Sequence, residues 1–229
     1  MAEQSVSPTA VCTARLTPDE AVALVPVRAP CRRASRNRGP VAPSPEEILR
    51  VLKLARAHSV RNWAMVLVGY HHGMRASEVC DLRLADVDLK TGSISVRRLK
   101  GSLHTIQPLY RHQGVPLLDE VNALRAWLRA RNGDGSDFLF TSQKGGRLDR
   151  SQFFRIFQTS AAAAGLAPEK RHPHCLKHAL ASHLVAENVN LALVKQCLGH
   201  KSIGSTMKYV GVTDAQASEA ARAAFMGLY

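Results

Sequence analysis

The sequence predicts a mainly α-helical fold with one small antiparallel β-sheet, and three observations carry that expectation. Apolar residues recur at helical spacing between capping signals through most segments after residue 43. Two short runs, Ser93–Arg97 and Thr105–Leu109, alternate apolar and polar residues on either side of Lys100-Gly101. The chain has 229 residues, 45% of them hydrophobic, enough for one ordinary core.

Residues 1–43 differ from the rest. They carry Pro8, Pro18, Pro26, Pro30, Pro40 and Pro43, and the run Cys31–Arg38 holds Arg32, Arg33, Arg36 and Arg38. A mobile basic arm is expected there, with one short helix after Thr17-Pro-Asp-Glu20. The arginine cluster reads equally as a solubilising linker or as an arm that follows DNA phosphates. The folded part is expected to start at Ser44-Pro45-Glu46-Glu47, where Ser caps, Pro takes the first helical position and Glu47 reaches back to the cap. Ile48, Val51, Leu52 and Ala55 then form an apolar stripe. A second helix should run over 60–72 and stop at Gly73, and a third from near Arg75 to near Leu84. After the strand pair, helices are expected over about 118–131, 151–164, 175–187, 191–198 and 204–209, with another from Thr213 in the Ala-rich tail.

Charge narrows the function. Lys and Arg total 31 against 18 Asp and Glu, a net +13, which calls for a polyanionic partner. A membrane surface is disfavoured, because no apolar run approaches the roughly 20 residues of a spanning helix and no signal peptide opens the chain. Five cysteines without CxxC spacing argue against a disulfide framework and a zinc site, and they fit a reducing cytoplasm. With aromatics at only 5%, a base-stacking single-strand platform is disfavoured, and duplex DNA is the leading partner.

Several polar residues sit where a helical core does not need them. Arg75 lies in Gly73-Met-Arg-Ala-Ser-Glu78, at a helix start where its fork can meet a phosphate, although most such arginines form surface ion pairs. Lys100 stands at the hairpin tip, where a lysine is usually only solvated. The C-terminal third carries His172-Pro-His-Cys-Leu-Lys-His178, Leu198-Gly-His200 and Thr206-Met-Lys-Tyr209. No carboxylate accompanies these histidines at ligand spacing and Lys177 would repel a cation, so no metal is expected. A cationic cradle for a phosphate, with a phenol as nucleophile, accounts for them better. Other residues get plain readings. His71 and His72 cap or solvate the second helix, Cys175 and Cys197 are buried fillers, His178 bonds backbone, and Trp63 and Trp127 pack.

In order and spacing, the stretch from Ser44 to Val212 resembles the catalytic domain of the tyrosine recombinases, the phage integrase family. Met74–Val79 resembles the first arginine box, which implies that Arg75 clamps phosphate and Glu78 supports it. Lys100–Leu109 resembles the hairpin whose tip lysine acts as general acid. His174-Cys-Leu-Lys177 matches the His-x-x-Arg box except at its last residue, and Leu198-Gly-His200 matches the next histidine box. Tyr209 stands at the nucleophile's place. The resemblance implies site-specific cutting and rejoining of duplex DNA through a 3′-phosphotyrosyl ester, with no cofactor and no metal, by a homotetramer on two sites. The tail 213–229 is then a helix for docking between subunits. It also implies an N-terminal core-binding domain in most relatives, for which residues 1–43 are too few, since domains need at least about 50 residues. Lys177 in place of arginine raises one alternative: a catalytically degenerate DNA-binding regulator on the same fold.

Overall fold

The computed structural model describes residues 40–98, 103–131, 135–211 and 214–228. The expected arm, with Arg32, Arg33, Arg36 and Arg38, and the hairpin tip with Lys100 lie outside these residues.

Helix α1 (Pro45–His58) begins as the sequence requires: Glu47 N donates to Ser44 Oγ at 3.2 Å, and Ser44 N donates to a Glu47 carboxylate oxygen at 2.8 Å. Its buried face is Ile48, Val51, Leu52 and Ala55. Ser59 ends α1 in an extended conformation and caps α2 (Val60–His71), accepting from Asn62 N at 3.0 Å. Every residue from Asn62 to Gly69 is buried, so α2 is the central helix, with α1, α4 (Glu120–Ala130) and α6 (His174–Ala186) packed around it. Gly73 follows α2 with φ +54°, and a Cβ there would lie 2.8 Å from Leu198 Cδ2. Both the left-handed turn and the close approach of the Leu198 side chain require glycine.

Helix α3 (Ala76–Cys80) is shorter than its apolar pattern suggests. Leu84 N donates to Asp137 O at 2.8 Å and Leu139 N to Leu82 O at 2.7 Å, so bonds to a distant segment replace the continued helix. A single 3-10 turn, Leu84–Asp86, then leads into β1 (Val87–Asp88), a strand the sequence reading did not anticipate. With β2 (Ser93–Val96) and β3 (Thr105–Pro108) it forms an antiparallel sheet in the order β1-β2-β3. Val96 pairs with Thr105 and Ser93 with Pro108. Ile94 and Val96 face the core, which puts Arg98 on the same face by parity.

Helix α5 (Arg150–Ala163) packs on α1 and α3. Beyond α6 come α7 (Leu191–Leu198), α8 (Gly204–Met207) and α9 (Asp214–Leu228). A second apolar cluster of Ala181, Val194 and Leu198 joins α6 to α7, with Tyr209 packed against it. The tryptophans pack as expected, their indole N–H groups bonded to Leu117 O at 2.9 Å for Trp63 and to Leu139 O at 2.8 Å for Trp127.

Besides His178, described below, three side chains depart from their plain readings. His72 is the C-cap of α2 but does not meet solvent: its side chain is wholly buried, 2.8 Å from Glu120 Oε1 and 2.8 Å from Gln107 Oε1, and bridges α2, α4 and β3. His71 also turns inward, with Nδ1 3.5 Å from Glu120 Oε2. Cys197 is exposed on α7 rather than buried. His183, to which the sequence assigned nothing, links Tyr70 Oη at 2.8 Å and the Pro43 carbonyl at 3.0 Å, tying α6 to the chain just before α1.

Candidate active site

Arg75 is the N-cap of α3 and is held by Glu78 in two ways. Its backbone N donates to Glu78 Oε2 at 2.8 Å, and its guanidinium donates to Oε1 at 2.7 Å. Glu78 is buried while the Arg75 side chain keeps 32% of its surface, so the carboxylate anchors a fork that still faces outward. It faces a cavity of about 710 Å³ whose lining includes Arg75, Ser77, Arg150, Arg155, His172 and His174. Every ionisable side chain named there is a base, which suits an anion. His172, unassigned from the sequence, belongs to this wall.

Arg98 was not singled out by the sequence reading, although strand parity points it inward. Its guanidinium donates to His72 O at 2.7 Å, Gly73 O at 2.8 Å and Cys197 O at 2.9 Å, and lies 3.4 Å from Glu78 Oε2. Helix C-termini leave carbonyls without intrahelical partners, and this one group satisfies those at the ends of both α2 and α7. The boxes of Arg75 and His200 follow directly on those two ends. Gly199, at φ +64°, is needed beside it: a Cβ would lie 3.0 Å from Arg98 Nε and 3.1 Å from Leu103 O. Arg98→Met is expected to destabilise the fold by about 3 kcal/mol or more, because it removes the donor that the buried His72 and Gly73 carbonyls share. The shift in the urea unfolding midpoint measures it.

His174 opens α6 and His178 follows one turn later, their rings T-shaped at 4.4 Å between centroids. His178 Nδ1 lies 2.7 Å from Tyr209 Oη, which corrects the expectation that it bonds backbone. Between them Lys177 is almost wholly buried and donates from Nζ to Leu198 O at 2.7 Å. His200 follows the α7 cap, and its Nδ1 is 3.0 Å from the hydroxyl of buried Thr206, an orienting residue that sequence reasoning missed.

The electrostatics of these groups share one direction. Burial, then the neighbouring His174, His172 and Lys177, pushes His178 down to about 4. Burial followed by Lys177 and Arg75 does the same to His200, also to about 4. Lys177 is pushed down to about 7 by burial and by the Arg98 and Arg75 charges, with Glu78 opposing. His174 is lowered by burial and then by Lys177, and burial raises the Tyr209 phenol. Buried cationic groups that repel one another hold fewer protons until an anion arrives among them. No group of three His, Cys, Asp or Glu side chains that could hold a metal ion occurs among the described residues.

Comparison with known proteins agrees with this geometry. Residues 44–216 match the model of the phage integrase family. The chain is 39% identical over 168 residues to the type 1 fimbriae regulatory protein FimB of Escherichia coli K12, covering 71% of this chain and 80% of that one. It is 32% identical over 174 residues to tyrosine recombinase XerA of Thermococcus kodakarensis, covering 76% of this chain and 59% of XerA. Among solved structures, XerA recombinase superposes with a TM-score of 0.65 at 30% identity, covering 79% of this chain and 64% of that one. XerH site-specific recombinase, solved in a pre-cleavage complex with its difH substrate, gives 0.66 at 25% identity over 80% of this chain and 54% of XerH. With that match over most of its length and the same fold, the chain belongs to the phage integrase family, the site-specific tyrosine recombinases.

Proposed function

We propose that this chain cleaves and rejoins duplex DNA at a specific site with Tyr209 as nucleophile. The observation that carries the reading is the Tyr209 phenol bonded to a histidine in a cluster of basic groups that includes Lys177, His174, Arg75 and His200. Attack forms an Oη–phosphorus bond as the bond from phosphorus to the 5′-oxygen breaks. The resulting 3′-phosphotyrosyl ester keeps the bond energy that a new 5′-hydroxyl later uses, so neither ATP nor a metal is required. Arg75, Lys177 and His200 neutralise charge on the nonbridging oxygens. His174 assists removal of the phenolic proton, and Lys100 protonates the departing 5′-oxygen.

Residues 44–212 form the catalytic domain in this reading, and the duplex lies across the cavity where Arg150 and Arg155 extend the positive wall from Arg75. The arm of residues 1–43 follows phosphates through Arg32, Arg33, Arg36 and Arg38. Recombination joins two duplexes through four cuts, so the working unit is a tetramer on two sites. Helix α9 suits the contact between its subunits, because Phe225, Met226 and Leu228 are 64%, 78% and 71% exposed. Deleting residues 213–229 should leave single-site binding within a few-fold and prevent synapsis. Cross-linking on paired sites measures this, and tetramers that survive the deletion remove the docking role.

The test of the function is covalent trapping. A nicked duplex of the DNA that flanks the chain's own gene, chosen at any inverted repeat or attachment site found there, should yield a detergent-resistant protein–DNA adduct in EDTA without ATP. Binding without adduct on that DNA favours the regulator reading.

A further inference from the structure

Catalysis by a phenol needs something to take its proton at the moment the oxygen attacks phosphorus. The group in contact with that oxygen is His178, with Nδ1 2.7 Å from Tyr209 Oη. Its ring packs edge-on against His174, and that histidine lines the cavity beside Arg75. We propose that His178 is a catalytic residue that accepts the Tyr209 proton through Nδ1, with His174 packed between it and the phosphate cavity.

The proposal rests on the recombinase reading above. In the step, Tyr209 Oη bonds to phosphorus, its proton passes to His178 Nδ1, and the 5′-oxygen leaves with a proton from Lys100. Atoms and charge balance, and religation runs the same transfers backwards. Two further observations and one electrostatic argument support it. Burial and the basic neighbours His174, His172, Lys177 and Lys208 hold the His178 ring neutral at physiological pH, and in the tautomer with its proton on Nε2 the Nδ1 lone pair is the proton acceptor. A phosphate bound beside Arg75 adds negative charge near the ring and raises its basicity when cleavage begins. Tyr209 packs against the cluster of Ala181, Val194 and Leu198, and Ala181 belongs to the same helix as His178, so α6 helps to fix the donor and acceptor together.

The experiment compares His178→Ala and His178→Asn with wild type on the nicked duplex. It uses an ordinary phosphodiester and a 5′-bridging phosphorothiolate, with duplex binding and thermal unfolding measured alongside. His178→Asn keeps a polar group near Nδ1 and guards against a variant that fails to fold. Both variants should bind DNA within a few-fold and form adduct about 100-fold or more slowly, as expected for loss of a general base. The sulfur leaving group needs little protonation, so it should rescue Lys100→Ala and leave the His178 variants slow. Added imidazole should restore part of the rate of His178→Ala. Adduct formation within a few-fold of wild type in His178→Asn would overturn the proposal, and so would full rescue by sulfur, which places His178 on the leaving-group side. If wild type itself forms no adduct, it is the recombinase reading that fails.

Discussion

Tyr209→Phe is expected to abolish adduct formation and leave duplex binding nearly unchanged. The substitution removes one oxygen and keeps the ring that packs against the Ala181, Val194 and Leu198 cluster of α6 and α7. It also removes the partner of His178, which costs one hydrogen bond of about 1 kcal/mol and leaves the fold intact. Among the described residues, the hydroxyl bonded to a histidine of this cluster besides Tyr209 is that of Thr206, which is wholly buried against His200 and cannot substitute. The loss should therefore reach the detection limit on the nicked duplex. Gel shift of the same DNA provides the binding control. Adduct that persists in the phenylalanine variant would remove Tyr209 as nucleophile.

The helices and caps of this fold were legible because they are local. The box Ser44-Pro-Glu-Glu47, the stripe on α1 and the stop at Gly73 are written in residues that act on their immediate neighbours. Strand β1 was not legible, since two residues carry no period and pair only because β2 arrives opposite them. The end of α3 was lost for the same reason: its competitor is a segment more than fifty residues away. At the proposed site, Arg75, His174, Lys177, His200 and Tyr209 are marked out by order and spacing. His72, Arg98, His178 and Thr206 did not, because each has a meaning only through a partner distant in sequence or in another element. Arg98 alone left a usable signal, the inward parity it shares with Ile94 and Val96.

Lys177→Ala is expected to lower adduct formation on the order of 100-fold or more, the scale seen when one donor to a developing oxyanion is removed. The wild-type side chain already sits where a cation is costly. Nζ is bonded to the Leu198 carbonyl, Arg98 and Arg75 repel it, and Glu78 alone attracts it. Burial and that repulsion bring its proton affinity down to about 7. In the proposed step the cation is the form that neutralises the phosphorane, so cleavage by wild type should fall as pH rises above about 7. Bound phosphate moves that limb toward higher pH. Lys177→Arg should keep or raise the rate at pH 7 and flatten the limb, because a guanidinium stays charged and can bond two oxygens at once. The linkage to folding has the opposite sign. The unfolded chain holds this proton up to the ordinary lysine value of 10.5, so the burial penalty is full below about 7 and fades as pH rises toward 10.5. Lys177→Met should therefore gain most stability over wild type in acid and least in alkali, measured by urea unfolding across that range. A flat wild-type cleavage profile from pH 6 to 9 would show that Lys177 stays charged throughout. Alanine as fast as wild type would remove it from the reaction, leaving Arg75 as the cation of the proposed site.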